Sequence, residues 1–206
     1  MPKLVLTYFD LDQSRGEPAR LALYIAGVAF EDRRIPWKDW PPVRDSMPFK
    51  AMPVLEVDGQ VITQSNTINR YVGKLTGLYP NDDWQAALAD EVMDAIEDIT
   101  VEIEETIALE PAAKKNARAA LSKDLLLRYL QQIDARLERG GGEWFVEKRL
   151  TMADLKCFVW IRSLKSPKAE YFPADLVDRN APLLARHLER VNSHPKIAAY
   201  YAARGK

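Results

Sequence analysis

A single cysteine, Cys157, stands in this chain of 206 residues. It excludes an internal disulfide and fits a reducing compartment. Cys157 sits inside the apolar run Leu155 to Ile161, where it reads as a packing residue and not a nucleophile. Histidine is nearly as scarce: His187 and His194 are the whole supply, and no His/Cys cluster has metal-ligand spacing, so no metal is expected. No run approaches the roughly 20 apolar residues of a membrane span. Met1-Pro2-Lys3 leads straight into a strand pattern, unlike a secretory signal, and the expected location is cytoplasmic. Lys and Arg number 29 against 30 Asp and Glu, so the net charge of -1 gives no general attraction to nucleic acid or to a membrane surface. What remains is an ordinary globular composition, 47% hydrophobic and 29% charged, long enough for one large or two small domains.

The pattern changes once along the chain. Leu4 to Phe9 is β-rich, Pro18 to Ala26 carries apolar residues at helical spacing and stops at Gly27, and Phe30 to Ile35 reads as a second strand. Pro36 to Pro48, rich in proline and tryptophan, reads as an ordered irregular loop. A hairpin and a helix follow, giving the order β-α-β-loop-β-β-α over residues 1–80. Tyr79 to Asp83 is a linker. From residue 85 to 206 the signal is helical: Leu88, Val92, Ile96, Ile99, Ile103 and Ile107 step by four and three, and Leu126, Leu130, Ile133 and Leu137 repeat the stripe up to Gly140. Thr151-Met152-Ala153-Asp154 is a capping box opening the apolar run to Leu164, and Leu183, Leu184, Leu188 and Val191 make another helix ending near His194-Pro195.

The densest information lies between Met52 and Tyr71. Pro53 opens a strand and cannot donate a ladder hydrogen bond, so its neighbours' backbone groups stay free for an extended partner. Asp58-Gly59 turns a hairpin, and Ser65 is placed to cap the helix of Ile68, Tyr71, Val72 and Leu75, whose N-terminus favours an anion. A free backbone edge beside an anion site suits a short acidic peptide. The same residues also describe an ordinary ββα unit with a capped helix.

Taken in order, Leu6-Thr7-Tyr8-Phe9, Arg15-Gly16-Glu17-Pro18-Ala19-Arg20, Asp39-Trp40-Pro41, Met52 to Gly59, Gln64-Ser65 and Thr151 to Asp154 resemble the cytosolic glutathione transferases, sigma-like class, along essentially the whole length. That resemblance implies an α/β thioredoxin-like N-terminal domain, an all-α C-terminal domain, a homodimer, and glutathione as co-substrate against small hydrophobic electrophiles. Detoxification is the role such chemistry serves.

It also implies roles for individual residues. Tyr8, which alone reads as a half-buried strand tyrosine, matches the catalytic tyrosine that donates a hydrogen bond to the glutathione sulfur. Arg15 matches the arginine that adds positive potential near the thiolate, although Asp10 to Ser14 is one residue longer than the sigma pattern. Trp40 and Arg44 match the grip on the glycine carboxylate, with Lys50 a further candidate; Met52, before a cis Pro53, matches the backbone partner of the cysteinyl residue. Gln64 and Ser65 match the γ-glutamyl grip, and Asp98 the carboxylate that crosses a dimer to the γ-glutamyl amine. Asp98 also belongs to an acidic face with Asp90, Asp94, Glu97, Glu102 and Glu105 that solvation alone explains. The electrophile pocket falls by position on Phe9, Gln13 and Trp160, with Asp10, Thr100, Glu105 and Lys156 beside them. Prostaglandin D synthases are more apolar there, so Thr100, Glu105 and Lys156 disfavour that specialised isomerase. Glutathione-dependent peroxide reduction is a further enzymatic reading. A non-catalytic ligand-binding or lens-crystallin-like protein is the third, against which stand Tyr8 and the short connection at Glu110 to Lys115.

Overall fold

Strand β1 (Leu4–Phe9) alternates nothing: five of its six residues are buried, as a central strand covered on both faces requires. Helix α1 (Glu17–Ala26) starts with Pro18 in its first turn and ends at Gly27, whose φ of 69° lets the amides of Gly27 and Val28 reach back to Tyr24 and Leu23. Strand β2 (Glu31–Ile35) is charged and half-exposed, the dress of an edge strand. The tryptophan-proline segment after it is more regular than its composition suggests. It contains α2 (Trp40–Arg44), flanked by single 3₁₀ turns at Trp37–Asp39 and Pro48–Lys50. Strands β3 (Val54–Val57) and β4 (Gln60–Thr63) form the hairpin around Asp58 and Gly59, both at positive φ. Helix α3 (Ser65–Thr76) follows immediately. Among the residues described by this computed structural model, 1–204, the strands make one mixed sheet in the order β2-β1-β3-β4, with β1 and β2 parallel and the rest antiparallel. This is a thioredoxin-like α/β domain.

One local expectation changes. Ser65 is the first helical residue of α3, and Gln64 occupies the cap position with φ 67° and ψ 119°. The left-handed turn at Gln64 swings the chain off β4 and into the helix, which buries Ser65.

The second unit, Pro80–Ser193, is helical. Helix α4 (Asp83–Glu105) is capped by Asp82, whose carboxylate accepts from the Gln85 amide at 2.9 Å. It stops before Ile107, which the apolar stripe had included and which is exposed. Helices α5 (Pro111–Lys123), α6 (Leu125–Arg139), α7 (Met152–Leu164), α8 (Leu176–Asn180) and α9 (Pro182–Asn192) complete the unit. Helix α7 is its buried centre, with every residue from Met152 to Ile161 inside. Cys157 lies there, its thiol pushed well up by burial, with the Asp154 carboxylate adding to the effect.

The sequence division assigned everything after residue 85 to the helical domain. In the structure α10 (Pro195–Ala202) groups with the first unit, Met1–Tyr79. Lys196 donates to the Ile25 carbonyl at 2.5 Å, the Tyr200 ring meets Tyr24 edge-on at 5.1 Å, and Arg34 donates to the Tyr200 hydroxyl at 3.2 Å. Among the described residues no helix is long and apolar enough to cross a membrane.

Candidate active site

Tyr8 is the penultimate residue of β1, with its side chain inside the domain, only 3% exposed. Its ring is held from several sides. Gly16 lies so close that a Cβ there would sit 2.5 Å from the ring carbons Cγ and Cδ1, so this glycine is a matter of space and not of conformation. The Arg20 guanidinium stands 5.7 Å from the ring centroid, and Phe9 meets it edge-on at 5.4 Å. The phenol hydroxyl donates to the Ser14 hydroxyl at 3.0 Å.

The loop between β1 and α1 is lashed down by arginines from separate elements. Arg20, fully buried on α1, donates to the Leu11 carbonyl at 2.7 Å, to the Phe9 carbonyl at 3.1 Å and to Asp32 at 2.8 Å. Arg34, on β2, reaches the Leu11 carbonyl at 3.2 Å and Asp12 at 3.0 Å, and Arg204 meets the same Asp12 oxygen at 2.6 Å. Burying a guanidinium as completely as that of Arg20 is costly unless carboxylates and carbonyls surround it, as they do here. Glu17 lies beside Arg20 and is equally buried. Burial pushes its carboxyl up, and the nearby Arg20 offsets only part of that.

The other expected residues of the first unit fall into three places. Trp40 opens α2, and Phe9 is packed between its ring at 5.4 Å and that of Trp37 at 4.7 Å. Arg44 and Lys50 are exposed cations drawn to a residue the sequence reading passed over, Asp45, at 3.9 Å and 3.1 Å. The Met52–Pro53 bond is cis, as the resemblance implied, and both residues are buried just ahead of the β1–β3 ladder, which begins at Val54. Gln64 is exposed and Ser65 buried at the start of α3. Gln13 and Arg15 are half-buried on either side of Ser14.

Asp98 and Trp160 belong to the second unit. Asp98 is exposed on α4 with Asp94 one turn earlier. Trp160 is buried on α7, and its indole N–H has no hydrogen-bond partner among the described residues. Lys156, one turn before it, is buried and ion-paired to Glu97 at 2.5 Å. Thr100 bonds back to the Ile96 carbonyl, Glu105 is exposed, and Asp10, also exposed, meets Arg34 at 3.3 Å. Among the described residues no group of three or more His, Cys, Asp and Glu could hold a metal. Ser14, Gly16, Arg20 and Asp45 were missed as site residues. For Gly16 and Arg20 the signal was available: a glycine just before a helix start, and an arginine four residues on, on the inward face.

The family model for the glutathione S-transferase N-terminal domain matches residues 4–74, and that for the glutathione S-transferase C-terminal domain matches residues 97–204. The hematopoietic prostaglandin D synthase of Gallus gallus is 37% identical over 100% of this chain and 98% of its own. Glutathione S-transferase 1 of Ascaris suum is 31% identical over 100% and 98%. The solved prostaglandin synthase D of Nilaparvata lugens superposes with a TM-score of 0.87 at 28% identity, covering 98% of each chain. The chain belongs to the glutathione S-transferase family.

Proposed function

We propose that this glutathione transferase binds the tripeptide in an extended pose across its first domain, with Tyr8 donating to the sulfur and favouring the thiolate, which then attacks a small apolar electrophile. The observation that carries the reading is the fixed phenol. Its ring is clamped by Gly16 and Arg20, and it lies near the end of β1, the strand adjoining the one that Met52 and the cis Pro53 precede. A donor held in place before the reaction costs no reorganisation during it. Arg15 adds positive potential near the sulfur. Trp40, Arg44 and Lys50 take the glycine carboxylate, the two cations being already gathered about Asp45. Met52 pairs its backbone with the cysteinyl residue. Gln64 and Ser65 hold the γ-glutamyl carboxylate at the start of α3, where the helix dipole favours an anion. Asp98 of the partner subunit meets the γ-glutamyl amine in a homodimer. Phe9 and Gln13 serve the electrophile. The setting is cytoplasmic and the role detoxification.

A second reading, prostaglandin-type isomerisation, is favoured by the 37% identity to the Gallus gallus synthase. The ion-paired Lys156 and the exposed Glu105 give the helical domain more polar groups than an apolar lipid would select.

Assays with a chlorodinitrobenzene-type electrophile, hydroperoxides and a prostaglandin endoperoxide separate these readings. The expected result is saturable conjugation exceeding the other two activities, from a species that sediments as a dimer. Tight glutathione binding with negligible turnover across the panel would instead support the non-catalytic reading.

A further inference from the structure

We propose that Ser14 is a positioning residue for the thiolate, acting through Tyr8 as the outer member of a two-hydroxyl chain. The proposal rests on the reading of Tyr8 as the thiolate's donor. Three observations carry it. The Ser14 Oγ lies 3.0 Å from the Tyr8 hydroxyl oxygen. Ser14 holds φ at 66°, a left-handed conformation that serine seldom adopts and that persists only where its surroundings impose it. The surroundings do impose it. The Ser14 carbonyl accepts from the Glu17 amide at 3.2 Å, and the loop leading to Ser14 is pinned at Leu11 and Asp12 by Arg20, Arg34 and Arg204. The residue is therefore aimed at the phenol by the same lashings that fix the loop.

A hydroxyl carries one hydrogen and two lone pairs, and it turns to suit its neighbours. In the structure Tyr8 donates to Ser14. When a thiolate takes the phenol hydrogen, the Tyr8 oxygen keeps its lone pairs and the Ser14 O–H rotates to donate to it. The order becomes Ser14 O–H to Tyr8 O–H to sulfur. Neither hydroxyl ionises, and the thiol proton leaves to solvent. Donation to the phenol oxygen polarises its O–H bond, strengthening the next bond in the chain by about 10–30%. Applied to the lowering of about two units expected from Tyr8, that strengthening amounts to about 0.2–0.6 unit in the pKa of the bound thiol.

The test is the pKa of enzyme-bound glutathione, read from thiolate absorbance across pH. Ser14→Gly removes the hydroxyl while tolerating the positive φ, and Ser14→Ala keeps the Cβ. Both are expected to raise the thiol pKa by about 0.2–0.6 unit, a loss of thiolate of about 1.6- to four-fold below the pKa. Affinity for S-methylglutathione, which has no thiol to ionise, should stay unchanged. In a Tyr8→Phe background the Ser14 effect should vanish, because its only route runs through the phenol. A shift below about 0.2 unit, a shift that survives in the Tyr8→Phe background, or one matched by lost S-methylglutathione binding overturns the proposal. If Tyr8→Phe alone leaves the pKa unmoved, the thiolate reading of Tyr8 has failed instead.

Discussion

Tyr8→Phe is expected to raise the pKa of bound glutathione by about two units, at a cost in thiolate stabilisation of about 2.7 kcal/mol. A free thiol of pKa about 8.5 is only roughly 3% ionised at pH 7, so the thiolate population there falls roughly 25-fold. The rate falls less than the population does. Intrinsic nucleophilicity rises with pKa, and a Brønsted slope near about 0.45 returns roughly eightfold, leaving about a threefold loss from ionisation alone. The conjugation rate should nonetheless fall by more than that. On the proposed reading the hydroxyl also fixes where the sulfur sits, and misplacement of a nucleophile is expensive in rate. The folded state should be nearly untouched, since the ring keeps its contacts with Gly16, Arg20 and Phe9. Spectrophotometric titration of the bound thiol together with kcat/KM checks both parts. An unchanged thiol pKa would remove Tyr8 from the chemistry.

Asp154→Ala is expected to have the largest effect on stability, although Asp154 lies in the helical unit, outside the expected active site. Its carboxylate is wholly buried and accepts from the Thr151 amide at 2.8 Å, the Thr151 hydroxyl at 2.7 Å and the Phe145 amide at 3.2 Å, and it meets His187 Nε2 at 3.0 Å. Truncation leaves all four groups without an acceptor in the interior, each costing about 1–3 kcal/mol, though not additively. A total of about 3–5 kcal/mol matches the loss of one partner from a buried charged network. Against a typical stability of about 5–15 kcal/mol, that loss sharply reduces the folded population. Asp154→Asn keeps a carbonyl acceptor but turns its other arm into a donor facing Thr151, so it should recover only part of the loss. Denaturant midpoints at constant slope measure both. A midpoint unchanged in Asp154→Ala would show that the capping box does not hold α7.

These two sites were legible in the sequence for different reasons. Thr151 and Asp154 announce themselves locally, because a capping box is a matter of spacing along one turn. The hairpin at Asp58-Gly59 and the stop at Gly27 are equally local, set by residues that accept positive φ. Tyr8 became legible only through the joint order of several motifs. Where the reading failed, the determinant was tertiary. Helix α5 escaped because its buried positions are Arg118 and Ser122, so a search for an apolar stripe finds only alanines and Leu121. Arg118 takes the inward place by bonding the Thr106 hydroxyl at 2.8 Å and the Glu170 carbonyl at 2.9 Å. Helix α10 buries only Ile197, Tyr200 and Tyr201, too few to show a period. Ile107 continued the stripe of α4 in sequence, but the helix had already ended. In the site, Ser14 sits in Asp10-Leu11-Asp12-Gln13-Ser14, which has no periodicity to place it. The loop that carries it to Tyr8 is pinned by Arg20 and by two arginines far along the chain, Arg34 and Arg204.

The most direct measurement is a crystal structure of the protein with glutathione. The account predicts the tripeptide extended beside Met52, its glycine end at Trp40, Arg44 and Lys50, its γ-glutamyl end at Gln64 and Ser65, and its sulfur within hydrogen-bonding distance of the Tyr8 hydroxyl. A tripeptide bound elsewhere, or bound there with its sulfur turned from the phenol, would contradict it.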